Sequence, residues 1–238
     1  MRYKNTVLIT VLMLVVVLIS LNVYSQPSGA DIIFNESETK QPAAAEYLNT
    51  SGGSFTTLIL SSETQNLKWK AYAGNVTGVL TLDDSGDYSI YQWSITNMTG
   101  EVYASRTEVE WENISCANST HIYQEEEEMN HSTTADDSIN NTFSNKLHKE
   151  FFVGTKKILQ SSCPSTFTWV NDAAQVPSID APFQEVLLND GVNLVYTTFI
   201  DDDTQGFNYK SYDFQMIVAE NGIASNPNTR YYFYLELQ

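Results

Sequence analysis

The sequence has few basic residues. Only 12 of its 238 residues are Lys or Arg, against 29 Asp or Glu, so the formal net charge is −17. The basic residues form no cluster larger than Lys156-Lys157. A nucleic-acid partner is therefore not expected, because a phosphate backbone must be neutralised by clustered Lys and Arg. The acidity suits a solvated surface protein that repels its neighbours, or one that collects divalent cations.

Cysteine and histidine are also scarce, with two and three residues respectively. No Cys-x-x-Cys pair and no Cys/His cluster occurs, so a zinc site is not expected. The histidines, His121, His131 and His148, are interpreted as exposed polar residues. In an exported chain, Cys116 and Cys163 are expected to form a disulfide, and two buried free thiols are the alternative. This disulfide would close a loop of about 47 residues and contribute about 3–4 kcal/mol of stability.

Catalytic motifs are missing as well. The sequence has no G-x-S-x-G nucleophile elbow, no H-E-x-x-H metal-binding helix and no glycine-rich phosphate loop. A pair of carboxylates like that of glycoside hydrolases stays possible, because acidic residues are abundant and such pairs can lie far apart in sequence. The prediction is nonetheless a protein that is not an enzyme and needs no cofactor.

The first 25 residues have the composition of an export signal. Arg2 and Lys4 precede an uncharged, mostly apolar run over residues 6–19, the order that a translocon recognises. This run is shorter than the ~20 residues of a spanning helix, which favours a signal peptide cleaved before Gln26. A retained N-terminal membrane anchor is the alternative, since residues 21–24 extend the run. Residues 6–24 are the only part expected to contact a membrane.

The sequence is rich in Asn-x-Ser/Thr acceptor triplets for N-glycosylation. A chain of this composition would contain about four by chance. All of those present lie in the first 140 residues and none follows. Because glycans are added on the exoplasmic side of a membrane, these sites agree with the export signal. The eight acceptors are Asn35, Asn49, Asn75, Asn97, Asn113, Asn118, Asn130 and Asn140.

After the signal, period-two alternation and turn residues dominate, and no sustained helical stripe occurs. The pattern predicts an all-β fold, a β-sandwich that is immunoglobulin-like or related, in one large or two stacked units. We divide the chain into a flexible tether (26–53), a first β unit (54–109), a polar excursion closed by the disulfide (110–165) and a second β unit (166–238). Strands are predicted over residues 55–60, 67–72, 79–82, 88–95, 101–105, 185–188, 194–200, 214–218 and 231–237.

Two kinds of residue suggest ligand sites. The acidic turn with Asp83, Asp84 and Asp87, in which Gly86 is free to take positive φ, offers hard oxygen ligands for Ca²⁺, as does 201–203. Neither has EF-hand spacing, so no metal is predicted. The block 125–128 is interpreted as a solvated loop. Most aromatic residues are expected in the core, but Trp69 and Trp93 are candidates for stacking on a sugar ring.

Several motifs together resemble a known module. They are LKWKAYAGNVTG at residues 67–78, LTLDDSGDYSIYQW at 80–93, GEVYASR at 100–106 and WENISCANST at 111–120. This series resembles W-x-x-Y-x-G-N-x-[ST]-G, L-x-D-x-S-G and G-x-[VIF]-[YF]-A-[ST]-R of a family of archaeal secreted and cell-surface β-proteins whose function is not known. The resemblance extends from about residue 60 to the end of the sequence. It implies an exported β-protein and assigns no activity to any residue.

These observations predict an exported protein, extracellular or on the cell surface, with a structural or adhesive role. A carbohydrate-binding module is the alternative, and a secreted hydrolase with a carboxylate pair is less favoured. The expected partners are cell-envelope components or glycans. The last predicted strand, 231–237, has Tyr231, Phe233, Leu235 and Leu237 on one face, which is expected to be core. If that strand is an edge, it could pair with a second copy.

Overall fold

The computed structural model describes residues 26–222 and 228–238. The signal peptide or anchor predicted over residues 1–25 lies outside the described residues. In the part that is described, no helix is long and apolar enough to cross a membrane.

The described chain is built mostly from short antiparallel strands. In the first half these are β1 (Ser28–Gly29), β2 (Trp69–Gly74), β3 (Val79–Asp83), β4 (Ser89–Ser94), β5 (Gly100–Ser105) and β6 (Ser115–Cys116). In the second half they are β7 (Phe151–Val153), β8 (Lys156–Ile158), β9 (Ser165–Phe167), β10 (Gln184–Asn189), β11 (Leu194–Phe199), β12 (Thr204–Gln205), β13 (Ser211–Tyr212), β14 (Phe214–Ala219) and β15 (Tyr232–Leu237). The helices are a 3₁₀ turn (Trp111–Asn113), α1 (Ser119–Glu128) and α2 (Ile139–Thr142).

The centre of the molecule is a seven-stranded antiparallel sheet. Its strands follow the order β1-β15-β5-β11-β10-β6, and β9 pairs with another part of β10. β5 comes from the first half of the sequence, yet it lies between β11 and β15 from the second half. Four two-stranded sheets complete the fold: β2–β14, β3–β4, β7–β8 and β12–β13.

Both faces of the central sheet are covered. On one face, Leu187 and Tyr196 belong to a core that includes Met216 of β14 and Ile122 of α1. On the other, Val195 belongs to a second core with Phe151 of β7 and Ile158 of β8. Because successive residues of a strand point to opposite faces, each strand of the centre feeds both cores. Every residue of β5, β10 and β11 is therefore buried.

The predicted fold class is confirmed, since the described chain is mostly β and sandwich-like. Eight of the nine predicted strands are present with small shifts at their ends. The strand predicted over residues 55–60 is wrong, because that segment pairs with no strand of the described chain and all of its residues are exposed. The side-chain pattern of β15 is confirmed: Phe233, Leu235 and Leu237 pack against the first core.

The interpretation of residues 125–128 as a solvated loop is wrong. These residues form the end of α1, in which Glu125 and Glu126 are buried. Glu125 accepts two hydrogen bonds from Arg106, at 2.8 and 2.7 Å, and Glu126 accepts one from the amide of Asn140. A buried carboxylate that is paired in this way does not repel its neighbours. Four consecutive glutamates suggest a solvated loop, and for that reason the end of this helix was not predicted.

Two of the three histidines are buried, so their predicted exposure is wrong. Nε2 of His131 lies 2.7 Å from the carbonyl oxygen of Glu220. Nε2 of His148 accepts from the amides of Ser162 and Cys163, both at 3.0 Å. Burial lowers the pKa of His148, which keeps the ring neutral and able to accept. His148 thus satisfies backbone groups beside Cys163, and His131 contacts the backbone directly after β14.

Candidate functional site

All eight predicted glycan acceptors have exposed side chains. Asn35 and Asn49 lie on the extended segment that follows β1, and Asn75 and Asn97 lie at the base of the β3–β4 hairpin. The other four lie between residues 113 and 140. A glycan needs an acceptor that is open to water, and each of these sites meets that requirement.

Asn118 also has a structural role as the N-cap of α1. Its Oδ1 accepts from the amides of Thr120 and His121, at 2.9 and 3.1 Å. The capping bonds use the oxygen, so Nδ2, the atom that carries an N-linked sugar, stays free of them. Capping and glycosylation are therefore compatible at this residue.

The predicted disulfide is confirmed. Cys116 is bonded to Cys163 with a Cα–Cα distance of 4.9 Å, and the described residues contain no free cysteine. Cys116 belongs to edge strand β6, whereas Cys163 is completely buried in the second core. The bond closes a loop that contains α1, α2, β7 and β8, all of which cover the central sheet.

The two tryptophans proposed for sugar stacking have different environments. Trp69 packs against the first core beside Phe143 and donates its indole N–H to the carbonyl oxygen of Asp137, at 2.9 Å. Trp93 lies on the β3–β4 hairpin and is 47% exposed, with its ring centroid 4.8 Å from that of Tyr91. Of the two, only Trp93 offers a ring to solvent.

The aspartates that suggested a calcium site bind the protein's own groups. Asp83 accepts from the hydroxyls of Thr81 and Ser89, and Asp84 accepts from the amides of Gly86 and Tyr88. These bonds lower the pKa of both carboxyls. No group of three or more Asp, Glu, His or Cys side chains in the described ranges is placed to hold a metal ion.

The expectation that Gly86 supplies the positive φ of this turn is wrong. The residue with positive φ is Asp87, at 63°, rather than Gly86. Aspartate is among the few non-glycine residues that tolerate this conformation.

The structure reveals an exposed aromatic surface that the sequence analysis missed. It consists of Trp169, Phe207 and Tyr209, on two neighbouring loops, and is called the loop surface below. The exposed fractions of these side chains are 53%, 43% and 66%. Phe207 stacks on Tyr212 with the two ring planes 8° apart. Flat exposed rings on fixed loops are suited to stacking on a planar face of a ligand.

Hydrogen bonds hold the two loops of this surface together. Residues 170–173 form a tight turn in which Asn171 and Asp172 both have positive φ, as a type I′ turn requires. The amide of Asn171 donates to the carbonyl of Gly206 at 2.9 Å, and that of Asp172 to the carbonyl of Phe207 at 2.7 Å. The turn is thereby fixed against the β12–β13 hairpin.

Gln215 connects the same loops from below. Its side chain is 3% exposed, accepts from the amide of Phe207 and donates to the carbonyl oxygen of Trp169. Gly206 must lack a side chain, because a Cβ there would lie 2.6 Å from the Gln215 oxygen. The sequence QGFNY at residues 205–209 could have indicated this surface, because Phe207 and Tyr209 flank Asn208 directly after the turn residue Gly206.

The structure contains one pair of neighbouring carboxylates among the described residues that is buried in the central sheet. Glu101 of β5 and Glu236 of β15 are register partners, and both are buried. Glu236 accepts from the hydroxyl of Tyr103 at 2.9 Å and from the amide of Gly154 at 3.0 Å. Burial, and then the charge of Glu236, raise the pKa of Glu101 to about 8.

The best-defined surface depressions contain no carboxylate pair. One, of about 340 Å³, lies beside β1 and β15 and includes a single acid, Glu108. The other, of about 330 Å³, lies beside the disulfide and includes Lys156 and Lys157 but no acid. Neither has the convergent acids that glycoside hydrolysis uses.

No protein-family model, no curated protein and no solved structure matches the chain.

Proposed function

We propose that this chain is an exported, N-glycosylated protein of the cell envelope with a structural or adhesive role and no catalysis. The observation that carries the proposal is the exposure of all eight acceptor asparagines. A glycan can be attached only to an acceptor that the folded chain leaves open to water, so a buried acceptor would have counted against the proposal.

Two further features support this role. The Cys116–Cys163 bond is typical of proteins that mature in an oxidising compartment. Residues 31–67 are exposed along their whole length and connect β1 to β2 without regular structure. Such a segment can separate a folded body from the surface to which the chain is attached.

The proposal can be tested on native protein recovered separately from the envelope and the medium. Peptide mapping by mass spectrometry is expected to find hexose-containing adducts on several acceptors between Asn35 and Asn140. Exposed asparagines outside the triplets, such as Asn66, serve as internal controls and should be bare. Recovery of the protein from the cytoplasm with every acceptor unmodified would overturn the proposal.

A second candidate function, carbohydrate binding, is favoured by the loop surface. Its rings are exposed and their loops are fixed by Gln215, which limits the entropy lost on binding. Trp169→Ala is expected to lower binding to an array of plant, fungal and bacterial glycans by about ten-fold or more. Val176→Ala, which shortens an exposed side chain without a ring, is the matched control. Equal binding by both variants, with unchanged circular dichroism, would exclude this surface.

A further inference from the structure

Exposed apolar side chains are concentrated in one part of the chain. Most of the large hydrophobic residues that are open to solvent lie between Ile32 and Trp93. The central sheet, in contrast, hides its apolar residues on both faces. A large exposed apolar surface on a soluble protein usually marks an interaction site.

The β3–β4 hairpin accounts for much of this surface. Leu80 pairs with Trp93 and Leu82 pairs with Tyr91, so all four side chains share one face. Each is about half exposed, and every other residue of the two strands is exposed as well. A two-stranded hairpin is marginally stable alone, and it gains stability when a third strand joins it. Both outer edges of this hairpin have unpaired backbone groups, which invite such a strand.

Residues 55–60 have the composition of the missing strand. Their sequence, FTTLIL, is rich in aromatic and β-branched residues. Phe55, Ile59 and Leu60 are 94%, 98% and 86% exposed, and among the described residues this segment pairs with no strand. Its alternation would place Leu58 and Leu60 on one face of a sheet, where they could extend the apolar face of the hairpin.

Charge shows where two copies can approach each other. The formal charge of −17 makes copies of the chain repel one another. Residues 47–62 contain no charged side chain, and the acids of the hairpin are confined to its turn and to the adjoining end of β3. The acceptors Asn49, Asn75 and Asn97 border the two segments, but none lies inside residues 55–60 or within β3 or β4. Glycans would therefore surround this contact without blocking it.

We propose that residues 55–60 of one copy add as a third strand to the β3–β4 hairpin of a second copy. Strand addition satisfies the free edge by main-chain hydrogen bonds and buries the apolar face. Within residues 26–222 and 228–238 both the segment and the hairpin are uncovered, which favours pairing between chains. The inference rests on the proposed structural role and names a second copy as its partner. Because segment and hairpin are different surfaces, the contact produces either a reciprocal dimer or a filament.

Cross-linking between differently tagged full-length chains tests the pairing. One chain carries Thr57→Cys, and the other carries Thr81→Cys on β3 or Gln92→Cys on β4. The described residues contain no other free thiol. A disulfide-linked species with both tags is expected for at least one of these pairs. The matched control pairs Thr57→Cys with Val192→Cys, an equally open position in the β10–β11 turn, and should give no such species.

A second measurement uses the uncross-linked chains. Leu58→Glu is expected to weaken association in sedimentation velocity by about ten-fold or more, since it puts a charge into the added strand. Ile33→Glu, at an exposed apolar position outside the strand, should change association little. If Leu58→Glu leaves association unchanged, or if a chain that carries both Thr57→Cys and Thr81→Cys cross-links only within itself, the inference is wrong.

These results are separable from the proposed function. Unglycosylated protein that still cross-links between chains would contradict the glycoprotein proposal and leave the inference intact. Glycosylated envelope protein that neither cross-links nor associates would do the reverse.

Discussion

At the scale of single residues, the ion pair between Arg106 and Glu125 shows how acidic residues are used inside this acidic protein. Glu125 is 4% exposed and accepts two hydrogen bonds from one guanidinium group. Those bonds raise the pKa of Arg106 above its ordinary value. The pair fixes α1 to the end of β5, where Arg106 follows the last strand residue.

Breaking this pair should destabilise the fold. Glu125→Gln leaves the partly buried guanidinium of Arg106 with only the exposed Glu128 as its counter-charge, so we expect the free energy of unfolding to fall by about 2 kcal/mol. Glu128→Gln removes another contact of Arg106, but its side chain is 62% exposed. That control should cost about 0.5 kcal/mol or less. Urea denaturation of the two variants measures the difference, and equal losses would contradict the interpretation.

The Glu101–Glu236 pair should make stability depend on pH. The pKa of Glu101 is raised from 4.5 to about 8 in the folded protein, so between these values the folded state holds a proton that the unfolded state has lost. The free energy of unfolding should therefore decrease as pH rises through this window, by about 1.4 kcal/mol per pH unit at most.

Glu101→Gln is the variant that tests this dependence. It keeps a polar side chain near Gln238, which donates to Glu101 in the native protein at 2.9 Å. We expect the variant to be more stable than the native protein at pH 8 and to have a flatter profile between pH 5 and 8. Glu112→Gln, at an exposed acid, is the control. If the free energies of unfolding of native protein and Glu101→Gln change with pH in parallel, Glu101 is not the source of the pH dependence.

At the scale of elements, the segment between the two cysteines helps to cover both faces of the central sheet. It contains α1, α2, β7 and β8, and its side chains enter both cores. The strands β7 and β8 have three residues each, too few to be stable without the sheet beneath them.

Removing the disulfide should weaken this cover. The double variant Cys116→Ser/Cys163→Ser is expected to lose about 3–4 kcal/mol of stability, because the loop is no longer closed in the unfolded chain. Thermal unfolding with and without a reductant checks this. The reductant should lower the melting temperature of the native protein and leave that of the double variant unchanged. If full reduction of the disulfide leaves the melting temperature of the native protein unchanged, the expectation is contradicted.

The longer strands were predictable because a short apolar run bounded by turn residues is a local signal. β5, β10, β11 and β14 each have six residues, at least three of which are consecutive and apolar. β6 and β9 have only two or three residues and form by pairing with the longer β10, which sequence periodicity does not record. Residues 55–60 show the opposite case, in which a strong local preference finds no partner within the described chain.

The candidate sites also differ in whether the sequence alone could predict them. Acceptor triplets and a single cysteine pair can be read from the sequence, because each depends on a few neighbouring letters or on a count. The loop surface depends on Gln215, which brings together residues 168–169 and 207 across a distance in sequence that no motif encodes. The burial of Glu101 beside Glu236 likewise required the register of β5 and β15.

At the scale of the whole molecule, the chain consists of a densely packed sheet and a long exposed segment. Every residue from 31 to 67 is exposed, whereas the three central strands have no exposed residue. Local stability should differ accordingly, since a backbone without buried contacts opens at almost no cost.

Limited proteolysis should therefore begin within residues 31–67. Brief chymotrypsin treatment is expected to cut after Phe34, Tyr47 or Phe55 and to leave a resistant product that contains the central sheet. If copies associate as proposed, the cut after Phe55 should become slower at high protein concentration, while the cut after Phe34 should not. N-terminal sequencing of the first fragments identifies the sites. Initial cleavage within β10 or β11 would contradict the expectation.

The short contact between β1 and β15 gives this architecture a mechanical property. Ser28 and Gly29 pair with Leu235 and Tyr234, and the amide of Ala30 donates to Phe233, but neither residue of β1 is buried. Tension applied through residue 26 would peel these few bonds apart before it reached the buried strands. Residues 31–67 could then straighten to roughly 120 Å while the sheet stayed folded. Under load, the β1–β15 contact would open first, and the chain would lengthen without unfolding of the central sheet.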